Sequence, residues 1–274
     1  MNRRLALGLG LTGALLTLAL ASLVWTPEPP ARIHVPFRLR PPLAAGLPPG
    51  LGLLGTDGFG RDVLSMLMAG AGNSLLVALP AVALGGAAGT ALGVVAAGRG
   101  SWVEALAMRL CDVVFAVPPI LSALLLGTWL GPGRGTAVAA IALFLVPVFA
   151  RVARGGAGRI WASDYVLAAR AMGRGGFGIG WRNVLPNIAG LLAVQASIQL
   201  GLAILTEAGL SYLGLGAPPP APSWGRMLAD AQTFLGAAPW LAVVPGAAVA
   251  LAVLGFNLLG DGLRDLVDRR GTAP

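Results

Sequence analysis

At 274 residues, 56% hydrophobic and only 11% charged, with a mean hydropathy of +0.80, the chain cannot clothe a soluble domain, for which about a quarter of residues are charged. Its net charge of +8 rests on nineteen basic residues, all arginine, dispersed between apolar blocks with little aromatic interleaving, which argues against a nucleic-acid surface and for a place beside a membrane. Without lysine there is no GxxxxGK[ST] phosphate loop, and one histidine (His34) with one cysteine (Cys111) excludes intrachain disulfides, CxxC pairs, HExxH sites and Cys/His metal clusters.

A hydrocarbon core about 30 Å thick takes about 20 helical residues to cross. The first apolar run, 5–24, has that length and follows Arg3 and Arg4. It resembles a secretory signal, with Ala19-Leu20-Ala21 as a cleavage sequence. It exceeds the usual signal core of about 7–15 residues, however, and is read as an uncleaved anchor helix within 1–25. From 26 to about 60 the composition turns to Pro, Gly and Arg, and Pro27, Pro29, Pro30, Pro41, Pro42, Pro48 and Pro49 forbid a continuous helix. With a short helix at 62–69, this makes an extracytoplasmic unit over 26–70.

Five more spans are predicted at about 71–97, 110–130, 136–152, 188–210 and 239–259, within one domain over 71–262, followed by a tail at 263–274. The fold class is therefore an all-α membrane protein with six transmembrane helices. With the N-terminus inside, thirteen arginines fall on cytoplasmic segments, including six between 151 and 182 and Arg264, Arg269 and Arg270 in the tail, against six outside. The positive-inside rule then puts both termini in the cytoplasm.

The longest cytoplasmic connection, about 153–187, is patterned rather than merely basic. Ser163 suits the N-cap of a helix through Met172, Gly173 a left-handed stop, and a second short helix is expected to end near Pro186. Two short helices about a glycine elbow, in a chain otherwise embedded in lipid, read as a docking element. An ordinary basic loop would explain the arginines but not the Ala168-Ala169…Gly173 spacing.

Within this connection, Tyr165-Val166-Leu167-Ala168-Ala169-Arg170-Ala171-Met172-Gly173 through Leu185-Pro186-Asn187 resembles the EAA coupling loop of the permease subunits of ATP-binding-cassette (ABC) importers, and the expected coupling loop also takes in Ser163 and Asp164. Leu167 stands at the usual Glu position and Asn183 at the frequent His position. The resemblance extends from Leu54 to the C-terminus. It includes Leu54-Gly55-Thr56-Asp57-Gly58-Phe59-Gly60-Arg61-Asp62, Thr206-Glu207-Ala208-Gly209-Leu210-Ser211-Tyr212-Leu213-Gly214, Pro222-Ser223-Trp224-Gly225 and Phe256-Asn257-Leu258-Leu259-Gly260-Asp261-Gly262. These motifs, in this order, are similar to the C-type permease of dipeptide/oligopeptide systems.

The resemblance implies a type I ABC importer permease fold. It implies as partners a second, unlike permease, two cytoplasmic ATPases that hold the ATP and magnesium, and an extracytoplasmic substrate-binding protein. It implies no cofactor in this chain. Small side chains at Ala168 and Ala169 would let the loop approach the ATPase closely. The implied cargo is di- or oligopeptides, with nickel, glutathione or antimicrobial peptides as alternatives.

Individual polar residues admit more than one role. Glu207, in or near the end of the fifth span, reads either as a channel-lining or gating group or as a helix-end carboxylate near the headgroups. Gln195 and Gln199, one turn apart on that span, suit interhelical hydrogen bonds, with channel lining as the alternative. Gly85, Gly89 and Gly93 form a small face for packing within the subunit. Asp57 and Arg61 have the spacing of a helical ion pair, and Asp62 suits a helix N-terminus. Among other function classes, an intramembrane hydrolase would have to recruit His34 from a Pro-rich stretch without a nucleophile elbow. A passive channel or ion-coupled carrier would call for paired intramembrane carboxylates or inverted repeats, and Glu207 stands alone.

Overall fold

The computed structural model describes residues 3–271, and among these the apolar runs are all helical, with an isolated Thr56–Asp62 bridge and no strand. Helix α1 spans Arg3–Val24. The 26–62 segment then folds as turns around Thr56, whose hydroxyl accepts from Arg40 N at 2.9 Å and donates to the carbonyl of Phe37. Asp62 closes the segment as the N-cap of α2 (Val63–Arg99) and accepts from Ser65 N at 2.8 Å.

The short helix expected at 62–69 and the second span are thus one 37-residue helix. Nothing between Val63 and Ala71 breaks the helix, and Gly70 provides the bare surface on which the Trp224 indole sits: a Cβ there would lie 2.8 Å from the ring. At 1.5 Å per residue α2 is about 55 Å long, well beyond the hydrocarbon core.

The expected third span is broken. Helix α3 (Ser101–Ala116) and α4 (Pro119–Leu130) meet at 82° across Val117 and Pro118, because the prolines remove backbone donors and clash with the preceding turn. Helix α5 (Arg134–Trp161) is longer than the expected 136–152. Ala153 and Ala157 are fully buried, so the segment read as the start of the loop is helix, and the connection proper begins at Ala162.

Helices α6 (Asp164–Ala171) and α7 (Gly176–Ile179) make the elbow, and a π-helical turn over Gly180–Val184 leads into α8 (Leu185–Tyr212). Helix α9 (Trp224–Ala231), capped by the Ser223 hydroxyl, precedes α10 (Trp240–Gly271). The expected tail at 263–274 is largely a continuation of α10; the side chains of Arg269 and Arg270 lie outside the described residues.

Five of these helices are long and apolar enough to span a bilayer, and six spans result when α3 and α4 count as one, in agreement with the sequence reading. The tightest contact is α2 on α5. A Cβ at Gly85, Gly89 or Gly93 would come within 2.6, 2.3 and 2.3 Å of the carbonyl oxygens of Ala142, Val146 and Ala150. This glycine row does pack within the subunit. Helix α1 runs antiparallel along α10 through similar close approaches, Gly8 on Leu259 and Gly262 on Leu5. The start of α1, the end of α10 and the elbow therefore share one end of the bundle, and the 26–62 segment and α9 share the other.

Candidate functional site

The elbow is built by local hydrogen bonding and one small core. At the end of α5, Ala162 N donates to Gly158 O at 3.3 Å. Ser163 occupies the N-cap position of α6, but its hydroxyl donates backward to Ile160 O at 2.6 Å instead of capping forward. Helix α6 ends in a Schellman turn: Gly173, at φ +83°, donates to Arg170 O at 2.9 Å, and Arg174 N donates to Ala169 O at 3.1 Å. Only a residue without a Cβ adopts that φ at little cost. Pro186 lacks the donor an α-helix would need there. The π-helical turn just before it re-pairs the chain, with Leu185 N donating to Gly180 O.

Beneath the elbow, Val166 and Ala169 of α6 meet Ile179, Val184 and Ile188, together with Ala153, Ala157 and Trp161 of α5. The Trp161 indole also donates to Val94 O of α2 at 3.2 Å, and Arg170 lies 4.9 Å over its ring. This arrangement corrects one expectation. Ala169 is 3% exposed and faces inward, because it shares the i, i+3 face with Val166; its smallness serves contact between α6 and the chain's own core. The outward face carries Leu167, Ala168, Arg170 and Gly173, with Asp164 and Tyr165 also exposed at the start of α6. Tyr165 accepts from Asn187 Nδ2 at 3.3 Å, tying the start of α6 to the start of α8. Leu185 is half-buried and Pro186 exposed.

At the other end, the intramembrane polar residues do not converge on an open space. Glu207 is 1% exposed; one carboxylate oxygen accepts from Ser74 of α2 and the other from Ser211, both at 2.6 Å. It is neither at a lipid-facing helix end nor on the wall of the bundle's cleft, which is formed by α2, α5, the π-helical turn and the first half of α8. Gln199 is 6% exposed with Oε1 unpaired, and Gln195 is half-buried; neither forms an interhelical hydrogen bond among the described residues. Next to Glu207 a second polar group crosses helices: Arg134 donates to Asn73 Oδ1, and Asn73 Nδ2 to Pro222 O.

On the same side, Asp57 Oδ2 accepts from Arg61 Nε at 2.6 Å, in a turn rather than the helix that their spacing suggested. Arg61 also reaches Asp230 of α9 at 3.6 Å. The sequence reading missed Trp161, Ser74 and Asn73. No periodicity marks them, since each acts on a group 60 or more positions away.

The family described as binding-protein-dependent transport system inner membrane component matches residues 89–272. The glutathione transport system permease protein GsiD of Pectobacterium atrosepticum is 42% identical over 215 residues, 78% of this chain and 71% of that protein. The dipeptide transport system permease protein DppC of Alkalihalophilus pseudofirmus is 42% identical over 214 residues, 78% and 70% of the two chains. A Brucella suis protein with a peptide-permease name is 41% identical over 272 residues, 98% of this chain and 88% of that protein. The chain belongs to the family of binding-protein-dependent transport system inner membrane components.

Proposed function

We propose that this chain is one of two unlike permease subunits of an ATP-driven importer and forms half of the path by which small peptides reach the cytoplasm. The observation that carries the reading is the elbow: two short helices closed by a Schellman turn at Gly173, held on α5 and α8, with Ala168 and its neighbours turned outward at one end of a membrane bundle. Two cytoplasmic ATPases dock there and supply nucleotide and magnesium; this chain makes and breaks no bonds. The elbow end, with both chain ends, faces the cytoplasm, in keeping with the arginines at 151–182. The 26–62 segment and α9 face outward, toward the substrate-binding protein. Di- and tripeptides are the favoured cargo class, because the relatives above bear dipeptide, glutathione and peptide names.

In this reading Glu207 is an anchor between α8 and α2, since both its oxygens are engaged by serine hydroxyls. The test is uptake of labelled di- and tripeptides into vesicles containing the assembled transporter, with and without ATP and the binding protein. ATP-dependent accumulation of peptide is expected, with no ATP hydrolysis by this chain alone. Equal flux without ATP would assign the chain to passive or ion-coupled carriers.

A further inference from the structure

A cleft of about 870 Å³ opens between α2, α5 and the first half of α8, on the elbow side of the bundle. Its volume lies in the range of pockets that hold small ligands, about 300–1,000 Å³. Its α2 wall alternates small residues such as Gly86 and Ala87 with Val82, Val94 and Val95, and its α8 wall sets Ala193 and Ala196 beside Leu192, so the hollow is apolar. The one charged residue of the lining is Arg99, in the last turn of α2. It shares the cleft with Phe177 and Trp181, which are 89% and 65% exposed.

Arg99 has no ion-pair or hydrogen-bond partner among the described residues, whereas Arg151 and Arg154 of the adjacent helix pair with Asp112 and Glu104. The macrodipole of α2 accounts for an arginine in its last turn, but not for the apolar hollow beside it. Arg159, Arg170, Arg174 and Arg182 make the same end of the bundle strongly basic.

We propose that this cleft binds an anionic phospholipid of the surrounding bilayer, with its phosphate at Arg99 and its acyl chains along the apolar walls. A guanidinium fork matches phosphate geometry. Trp181 and Phe177 stand where aromatic side chains meet headgroups, and basic pockets between membrane helices are suited to acidic lipids. The apolar walls are chemically suited to hydrocarbon. The assignment holds for whichever leaflet the elbow faces and does not depend on the transported cargo.

The test uses the full chain in its assembled transporter, reconstituted into nanodiscs of equal phosphatidylglycerol and phosphatidylcholine. The complex is then extracted in mild detergent, and the lipid retained is quantified by mass spectrometry. Wild type retains phosphatidylglycerol preferentially, and excess inorganic phosphate does not displace it. Arg99→Gln lowers the preference about fivefold, the factor that one arginine near an anionic surface supplies. Arg159→Gln leaves it in place, and Ala87→Phe, which fills the wall, lowers retention of both lipids. Equal retention of the two lipids by wild type, or an undiminished preference in Arg99→Gln, overturns the proposal. So does a photocrosslinker carried on Ala87→Cys that captures a second membrane subunit in place of lipid.

Discussion

Tryptophan at position 168 and tryptophan at position 169 should fail for different reasons, and the difference tests the orientation of the elbow. Ala169 lies among Val166, Ile179, Val184 and Ile188 with almost no exposed surface. An indole has no room there, and overpacking costs about 1–3 kcal/mol. That cost shifts the closed elbow toward open forms by about 5- to 150-fold. Ala168, one residue and about 100° further around α6, is exposed, so an indole there stands clear of the core and changes stability by no more than about 0.5 kcal/mol. Trypsin, which cuts after Arg170 and Arg174, reports the state of the elbow in the solubilised chain without ATPases. Ala169→Trp is expected to cut faster than wild type and Ala168→Trp at the wild-type rate, while both lose ATPase co-purification and peptide uptake. Equal trypsin sensitivity would refute the inward placement of Ala169. An Ala168→Trp variant that keeps its ATPases and its transport would refute docking on the outward face.

Ser74→Ala removes the cross-helix donor to Glu207 and is expected to lower thermal stability in detergent by about 0.6–1.7 kcal/mol, the scale of interhelical hydrogen bonds in membrane proteins. A double cycle with Glu207→Gln should be non-additive, and strict additivity would mean that the two side chains do not interact. Gly89→Leu would drive a side chain into the backbone of α5, where a Cβ alone already meets Val146 O at 2.3 Å, and should abolish accumulation of folded chain. Gly158→Ala, with no atom within 4 Å, should be stable by the same expression assay. Asp62→Ala leaves Gly52 N and Ser65 N without their acceptor, costs about 1–2 kcal/mol of capping energy, and should expose the 26–62 segment to protease.

What could be read from the chain alone was whatever depends on local pattern. The apolar lengths located the spans, Gly173 marked the left-handed stop, Asp62 marked a helix start, and the glycine row at 85, 89 and 93 marked a packed face. The errors fall where a local signal has two outcomes. Pro118 and Pro119 break their span, whereas Pro80, Pro147 and Pro245 are carried inside continuous helices, because the paired prolines remove adjacent donors and single ones are absorbed. Ala168 and Ala169 look alike in sequence, and only the register of α6 on the Val166 face separates outward from inward. Glu207 shows a carboxylate in a span but not its partner, since Ser74 is 133 positions away and serine in a helix carries no distinctive spacing.

The elbow's attachments also determine which helices it can move. Trp161 ends α5, underlies α6 and binds the backbone of α2, while the π-helical turn joins α7 to α8 without a loop between them. A displacement applied at Ala168 therefore reaches α5 and α8 through packed backbone rather than through flexible chain. Helix α3 follows α5 by other means: Arg151 pairs with Asp112 at 2.6 Å and lies 4.4 Å over Phe115, and Arg154 pairs with Glu104. Helix α4 is separated from that clamp by the 82° break at Pro118. Beyond the break, α4 packs directly on α5, with Ala123 buried in the main core, so motion carried by α5 reaches both halves of the bent pair: α3 through its ion pairs and α4 through packing.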